Sequence, residues 1–268
     1  MKYSYQIYSP SGNDTALVMP LEKDAEKRRL VARQIMKRHP QVEQVGFLNS
    51  KEPQLLMAGG EFCGNALRAA ANFYLADRVG KVKMKVSGTN GYALNAGRTT
   101  SGDIYAQVLG THSIHELVEA HEKFFVVRLP GIVHVVMPCR KKQVQGLSPS
   151  NIKERTKKIL QALDLMREPA AGVIFVSKER GRRHIFPCVR VAAVETMICE
   201  SACGSGTFAV GLAVSFLTGR NVDLPLDQPS GKIIRARIWR KGELVTEGRI
   251  YGQVSTDGRW YSLNIGKG

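Results

Sequence analysis

The sequence predicts an α/β (α+β) protein made of two similar halves, each with short strands around a buried helix. Three observations support this fold class. Short segments of alternating polar and apolar residues recur along the chain, two helical segments are strongly apolar, and one local motif occurs twice. The motif is Cys63-Gly64-Asn65-Ala66 in the first half and Cys203-Gly204-Ser205-Gly206 in the second, 140 residues later.

The predicted strands alternate polar and apolar residues or are short runs rich in β-branched residues. Both patterns are typical of strands with one or two buried faces. The clearest examples are residues 81–86, 124–129, 132–137, 173–176 and 233–239.

Two predicted helices are amphipathic and two are mostly apolar. The amphipathic helices cover residues 23–38, ending before Pro40, and a segment starting at Ser148-Pro149 as N-cap and first helical residue. The apolar helices cover residues 66–76 and 207–217. The last of these is apolar nearly all round, so we expect it to be buried. Gly80 and Gly219 are predicted to end the two apolar helices.

Composition excludes several classes of protein. The 268 residues are 43% hydrophobic, which is enough for a large core and too much for a disordered chain. The most continuous apolar stretch, residues 208–217, is shorter than the ~20 residues that cross a bilayer. Residues 1–6 contain no apolar run of signal-peptide length. We therefore expect a cytoplasmic protein without a membrane partner.

The net charge of +16 raises the question of a nucleic-acid partner. Lys and Arg are spread along the chain, and no helix-turn-helix, zinc-finger or basic-aromatic motif accompanies them. We expect a solvated basic surface and no nucleic-acid partner. A catalytically inactive member of the fold that binds nucleic acid remains the alternative from another class.

The five cysteines are an odd number in a long chain, which argues against a disulfide scaffold, so we expect free thiols, metal ligands or catalytic groups. No Cys-x-x-Cys pair exists, which argues against a zinc site. No metal site is expected. Cys139, Cys188 and Cys199 lack the Cys-Gly-helix setting and are predicted to be structural.

Cys63 and Cys203 each precede a helix, where unpaired N–H groups and the helix dipole favour a thiolate. We expect the pKa of each thiol to lie below the usual ~8.5. Two such turns across one cleft would bind a carboxylate and place one sulfur on each face of the adjacent carbon. That arrangement suits a two-base racemase, with sulfurs on the order of 7 Å apart. The alternative is two small, inert buried residues.

Four segments resemble the diaminopimelate epimerase family over essentially the full chain. They are Ser11-Gly12-Asn13, Glu43-Gln44-Val45-Gly46-Phe47, Phe62-Cys63-Gly64-Asn65 and Ala202-Cys203-Gly204-Ser205-Gly206-Thr207. The resemblance implies two pseudo-symmetric domains, each a strand-rich barrel around a central helix, with Cys63 in the first (residues 1–115 and 251–268) and Cys203 in the second (116–250). It also implies catalysis by two cysteines without cofactor or metal, and a homodimer.

The same resemblance implies further substrate-binding residues. Asn13 and Gln44 match positions that contact the reacting end of the substrate. The N–H groups and hydroxyl expected around the α-carboxylate come from Gly64, Asn65, Gly204, Ser205 and Thr207. Taken without the resemblance, Asn13 suits a turn and Gln44 a polar surface.

The sequence departs from diaminopimelate epimerases where that family binds the distal end of its substrate. Gly131-Ile132-Val133-His134 and Gly172 replace asparagine motifs, and the expected guanidinium is absent. With these departures, the sequence resembles the histidine racemases that supply D-histidine for staphylopine-type metallophores. Glu43 could then accept a hydrogen bond from imidazole, or be an exposed acid. His134 is predicted to be a packed histidine.

The main enzymatic alternative is diaminopimelate epimerase itself. A proline or hydroxyproline racemase is more distant, because the first motif ends in Asn65 where that group usually has His.

Overall fold

The computed structural model describes residues 2–265, in which the strands form one continuous hydrogen-bonded network. The first strands are β1 (Lys2–Pro10), β2 (Asp14–Met19), β3 (Val42–Leu48), β4 (Gln54–Met57), β5 (Gly80–Val86), β6 (Ala93–Arg98), β7 (Ile104–Leu109), β8 (His112–Ser113) and β9 (Val118–Ala120). The later strands are β10 (Phe125–Leu129), β11 (Ile132–Pro138), β12 (Ala170–Glu179), β13 (Arg182–Val191), β14 (Thr196–Cys199), β15 (Val222–Asp227), β16 (Ile233–Lys241), β17 (Leu244–Gly252), β18 (Val254–Thr256) and β19 (Tyr261–Asn264). The helices are α1 (Ala25–Arg38), α2 (Gly64–Leu75), α3 (Ile114–Leu117), α4 (Pro149–Ala162) and α5 (Gly204–Thr218).

The two halves repeat one order of strand pairing. In the first half β2 is parallel to β3, β3 is antiparallel to β4, and β4 is parallel to β5. In the second half β11 is parallel to β12, β12 is antiparallel to β13, and β13 is parallel to β15. Parallel neighbours need a crossover, and the helices α1, α2, α4 and α5 lie in these four connections. The predicted α/β class is confirmed.

The last strands return to the first half. β17 pairs with β16 on one side and with β7 on the other. β18 and β19 then pair with β1. The domain boundaries at residues 115 and 250 stay a prediction.

The two amphipathic helices start with the expected capping chemistry. The Asp24 side chain accepts hydrogen bonds from the first-turn N–H groups of α1, and Ser148 does the same for α4 with Pro149 at the first position. Val31, Ala32 and Ile35 form the buried face of α1. The five predicted strands are confirmed, and most of them are longer than predicted.

The inner helices α2 and α5 belong to one apolar core that also includes residues from the strands of both halves. α5 ends at Gly219 in the left-handed region (φ 68°), as predicted. The prediction that Gly80 ends α2 was wrong. Ala76 (φ 44°) and Asp77 (φ 65°) make the left-handed turn, and Gly80 already starts β5. Of the helices in residues 2–265, none has the length and apolar character that crossing a membrane requires.

Candidate active site

A cysteine begins each inner helix with nearly the same geometry. Cys63 (φ −134°, ψ 109°) is the N-cap of α2, and Cys203 (φ −129°, ψ 110°) is the N-cap of α5. The sulfur of Cys63 accepts a hydrogen bond from Ala66 N at 3.2 Å, and the sulfur of Cys203 accepts one from Gly206 N at 3.2 Å. The repeated sequence motif is therefore also a repeated backbone motif.

The N-termini of α2 and α5 touch each other. The Asn65 side chain donates from Nδ2 to the Ala202 carbonyl at 2.8 Å. A Cβ atom on Gly204 would lie 2.9 Å from Asn65 Oδ1, and one on Gly64 would lie 3.8 Å from Ser205 N. The two Cys-Gly turns face each other, as the sequence predicts.

Arg68 holds Asn65 in this bridge from inside the protein. Its Nη2 donates to Asn65 Oδ1 at 2.8 Å, and its Nη1 donates to Ser11 Oγ at 3.2 Å. Arg68 is fully buried, and burial lowers its pKa to about 10, so it stays charged near neutral pH. Ser11 thus anchors the buried arginine, a role that the sequence did not reveal.

A cavity of about 440 Å³ opens beside the two turns, a size that suits a small ligand. Eight of the predicted site residues line it. They are Glu43, Gln44, Cys63, Gly64, Asn65, Cys203, Gly204 and Ser205. Asn13 and Thr207 lie behind this lining.

Asn13 and Glu43 form part of the support around the second motif. Asn13 Nδ2 donates to Glu43 Oε2 at 2.6 Å, and both carboxylate oxygens of Glu43 accept from Ser201 N, at 3.0 and 3.2 Å. Glu43 therefore ties β3 to the segment that leads into Cys203. Direct substrate contact by Asn13 and Glu43 stays a prediction.

Thr207 is engaged inside α5. Its hydroxyl donates to the Cys203 carbonyl at 2.7 Å and accepts from Gln228 Nε2 at 3.0 Å. Gln228 Oε1 in turn accepts from Cys203 N at 3.0 Å. Gln228 was missed because its contact with Cys203 spans 25 residues. Substrate contact by Thr207 stays a prediction.

Gln44 connects the first cysteine to a buried acid, Glu200. Its Oε1 accepts a hydrogen bond from the Cys63 thiol, and its Nε2 donates to Glu200 Oε1 at 2.9 Å. Glu200 is 6% exposed and lines the cavity. Sequence reasoning missed Glu200. Its position three residues before Cys203 was the available signal.

The expected low pKa of the two thiols was wrong. Burial raises the pKa of both Cys63 and Cys203, and the hydrogen bonds from Ala66 N and Gly206 N offset only part of this effect. The Glu200 carboxylate raises the pKa of Cys203 further. The helix N-termini act in the expected direction, but desolvation of the charged form outweighs them.

The cavity is acidic inside. Burial raises the pKa of Glu61 to about 7 and that of Glu200 to about 8. Within residues 2–265, Oε2 of each of these glutamates has no hydrogen-bond partner. Arg29 and Arg33 line the α1 side of the cavity. Arg29 is paired with Glu26, and Arg33 is exposed.

His134 is a packed histidine, as predicted, but it has a polar contact with the site. It is fully buried, and its Nε2 lies 2.9 Å from Ser205 Oγ. Burial lowers its pKa to about 3, so the ring is neutral. A Cβ atom on Gly172 would lie 3.0 Å from His134 Nδ1. Gly172 thus leaves room for the ring.

All five cysteines are free thiols. Over the described range 2–265, no group of three or more His, Cys, Asp or Glu side chains is arranged to hold a metal ion.

Solved structures share this fold across nearly the whole chain. A hydroxyproline epimerase from Agrobacterium vitis has a TM-score of 0.64 at 14% identity, with 98% of this chain and 92% of that chain covered. A phenazine biosynthesis protein of the PhzF family from Enterococcus faecalis has a TM-score of 0.61 at 13% identity, with 99% and 100% covered. At these identities the likeness establishes the fold.

Sequence relatives define the activity class. A histidine racemase from Staphylococcus aureus is 26% identical over 94% of both chains. A histidine racemase from Fusobacterium nucleatum subsp. nucleatum is 30% identical over 91% of this chain and 95% of its own length. The protein is an isomerase that racemises amino acids.

The family follows from the sequence profile that matches residues 2–261, described as histidine racemase CntK N-terminal domain. This chain belongs to that family. It is the narrower of the two families that the motifs resemble, and membership of the diaminopimelate epimerase family stays a prediction.

Proposed function

We propose that this protein interconverts L- and D-histidine, with Cys63 and Cys203 exchanging the α-proton on opposite faces of the substrate. The observation that carries the proposal is the meeting of two cysteine-capped helix N-termini at one cavity. Membership of the histidine racemase family supports the substrate.

The substrate α-carboxylate is proposed to bind where α2 and α5 meet. The first N–H groups of each helix have no partner within the helix, and both helix dipoles favour a negative charge there. Gly64, Asn65, Gly204 and Ser205 supply these groups at the wall of the cavity. The glycines also let a ligand approach the backbone closely.

The proposed reaction transfers two protons. One cysteine thiolate takes the proton from the α-carbon and becomes a thiol, which leaves the electron pair on the substrate. The opposite thiol donates its proton to the other face of that carbon and becomes a thiolate. The product has inverted configuration, and the two sulfurs have exchanged protonation states.

The lining of the cavity favours imidazole over a second carboxylate. Glu43, Glu61 and Glu200 line it, so the distal carboxylate of diaminopimelate would meet other carboxyl groups and would raise their pKa further. An imidazole N–H can instead donate to the Glu61 carboxyl group, whose Oε2 has no hydrogen-bond partner within residues 2–265. The apolar side chains Ile132 and Val189 also line the cavity and suit the faces of the ring.

Three wider expectations accompany this proposal. They are a role in metallophore biosynthesis, a homodimeric assembly and a cytoplasmic location. Each stays a prediction.

The test is α-proton exchange in D2O. The protein is incubated with a panel of L-amino acids and meso-diaminopimelate, and α-deuterium is measured by mass spectrometry. We expect deuterium in histidine and formation of D-histidine. Deuterium in diaminopimelate but not in histidine would overturn the proposed substrate. Exchange that is unaffected by replacement of either cysteine would overturn the proposed mechanism.

A further inference from the structure

Cys188 and Cys199 lie opposite each other on neighbouring strands. β13 and β14 are antiparallel, and their register pairs Cys188 directly with Cys199. Next to this pair, Glu200 N donates to the Pro187 carbonyl at 3.0 Å. Hydrogen-bonded and non-hydrogen-bonded pairs alternate along antiparallel strands. Because Pro187 and Glu200 form a hydrogen-bonded pair, Cys188 and Cys199 form a non-hydrogen-bonded one.

A non-hydrogen-bonded pair brings two opposite side chains as close as a sheet allows. The Cα atoms of such a pair lie about 4.5 Å apart, and both side chains point to the same face of the sheet. A disulfide needs Cα atoms about 4.4–6.8 Å apart. The register of β13 and β14 therefore places the thiols of Cys188 and Cys199 within disulfide range without movement of either strand.

The two thiols differ in their access to solvent and in their ionisation. Cys188 is fully buried, whereas Cys199 is partly exposed, with its sulfur 3.6 Å from the Pro149 carbonyl oxygen at the start of α4. Contact with the Cys188 thiol and the positive charge of Lys153 lower the pKa of Cys199. The same contact and burial raise the pKa of Cys188. Since oxidants react with the thiolate, Cys199 is the thiol that reacts first.

The cysteine pair lies behind one wall of the candidate active site. The next cross-strand pair, Val189 and Ile198, lines the cavity from the opposite face of the same two strands. The loop that joins β13 to β14 adds residues 192–195 to that lining. A bond between Cys188 and Cys199 would therefore join the two strands at the base of the hairpin that forms this wall.

We propose that Cys188 and Cys199 are a peroxide-reactive thiol pair that closes to a disulfide within the native strand pairing. First, the Cys199 thiolate attacks hydrogen peroxide and becomes a sulfenic acid, and the hydroxide that leaves takes up the proton that Cys199 released. Next, the Cys188 sulfur attacks the Cys199 sulfur, the S–O bond breaks, and the Cys188 proton leaves with that oxygen as water. Both thiols are oxidised, and the peroxide is reduced to water.

The test is peroxide treatment of the full, reduced chain in the absence of amino acids. Free thiols are then capped with N-ethylmaleimide, and the protein is digested with trypsin and Glu-C without reductant for mass spectrometry. These proteases place Cys188 on residues 184–190 and Cys199 on residues 196–200, apart from Cys203. We expect these two peptides to be linked. Burial raises the pKa of Cys139, so this partly exposed cysteine should stay capped as the internal control.

Variants separate the two steps. Cys188→Ala removes the second thiol, so Cys199 should accumulate as the sulfenic acid, and its labelling by dimedone should rise at least about tenfold over the unaltered protein. Cys199→Ala removes the thiol that reacts first, so Cys188 should stay reduced under the same treatment. Cys139→Ala is the matched control and should leave the linked peptides unchanged.

The urea midpoint shows whether the disulfide fits the native register. A disulfide without strain stabilises the fold, because it constrains the unfolded chain. The midpoint should therefore rise after peroxide treatment and return with dithiothreitol. The same treatment of Cys188→Ala should produce no rise.

A chain in which Cys188 and Cys199 are both still capped after peroxide treatment would overturn the proposal. Linkage of Cys199 to Cys203 in place of Cys188 would also overturn it, as would a linked pair that lowers the urea midpoint, because the strands would then have to move. A protein that forms the link but exchanges no deuterium into histidine would contradict the proposed function and support the thiol pair.

Discussion

Replacement of Gly64 by alanine tests how tightly the two helix N-termini are packed. A Cβ atom at Gly64 would lie 2.7 Å from Ile250 Cδ1, and its next contact would be at 3.8 Å. Ile250 is fully buried, so it cannot move away freely. Overpacking of this kind costs about 1–3 kcal/mol, partly offset by the better helix propensity of alanine, so we expect a net loss of about 1–2 kcal/mol.

Ile250→Val removes the atom that clashes. Alone it should cost about 0.5–1.5 kcal/mol, because it leaves a methyl-sized void. Combined with Gly64→Ala, the new methyl group fills that void, and the double variant should be more stable than the sum of the single effects by about 1–2 kcal/mol. Gly204→Ala is the comparison. Its Cβ would also meet Asn65 Oδ1 at 2.9 Å, so Ile250→Val should relieve only part of its cost.

The free energy of unfolding is measured by urea denaturation for the single and double variants. Additive effects for Gly64→Ala and Ile250→Val would refute the inferred packing of Ile250 against the first turn. If Ile250→Val recovered the same free energy of unfolding in Gly64→Ala as in Gly204→Ala, the inferred extra contact of Gly204 with Asn65 would be refuted.

Three further predictions concern the cysteines and the buried titratable groups. Cys63→Ser and Cys203→Ser should each lower α-deuterium incorporation into histidine at least about a hundredfold, because a serine hydroxyl is a poor base and a poor acid near neutral pH. The control Cys139→Ser should keep the activity. Activity lost in Cys139→Ser and kept in Cys63→Ser or Cys203→Ser would contradict the assignment. Glu61 has a folded-state pKa of about 7, above its ordinary value, so its contribution to stability is present at low pH and lost as pH rises through about 7. Glu61→Gln should therefore stabilise the protein by up to about 3 kcal/mol at pH 8.5 and little at pH 4 in urea denaturation, and an equal gain at both pH values would contradict this. His134 has a pKa lowered to about 3, so the folded protein, which needs this ring neutral, loses stability as pH falls below about 6.5. In His134→Phe the melting temperature should fall less steeply at acid pH than in the unaltered protein. An unchanged slope would contradict the buried neutral state of His134.

The sequence was sufficient for the fold where the determinants are local. The N-caps Asp24 and Ser148 start their helices through their own side chains, and Cys63 and Cys203 do so with sulfur. Each of these caps acts within three residues. The repeated motif also predicted that the two turns face each other, because similar halves commonly pack with equivalent elements together.

The remainder of the site depends on contacts between distant residues. Gln44 reaches Glu200 across 156 positions, and Arg68 reaches Ser11 across 57. The pKa of a thiol at a helix N-terminus follows from the balance of local N–H groups and desolvation, and sequence shows only the first of these. For this reason the expected direction of the pKa of both cysteines was wrong while their place in the fold was predicted.

The equivalent positions in the two motifs make different side-chain contacts although their backbone geometry is nearly the same. Asn65 and Ser205 each follow a Cys-Gly pair, but Asn65 bridges to the Ala202 carbonyl, whereas Ser205 lies between His134 and the Cys203 sulfur. The shared backbone geometry gives both sulfurs the same relation to their helices, as the proposed proton transfers on two opposite faces require. The side chains beside the two sulfurs differ, with Gln44 at Cys63 and Ser205 at Cys203. Divergence of these neighbours therefore changes the polar contacts of each sulfur without changing the backbone that positions it.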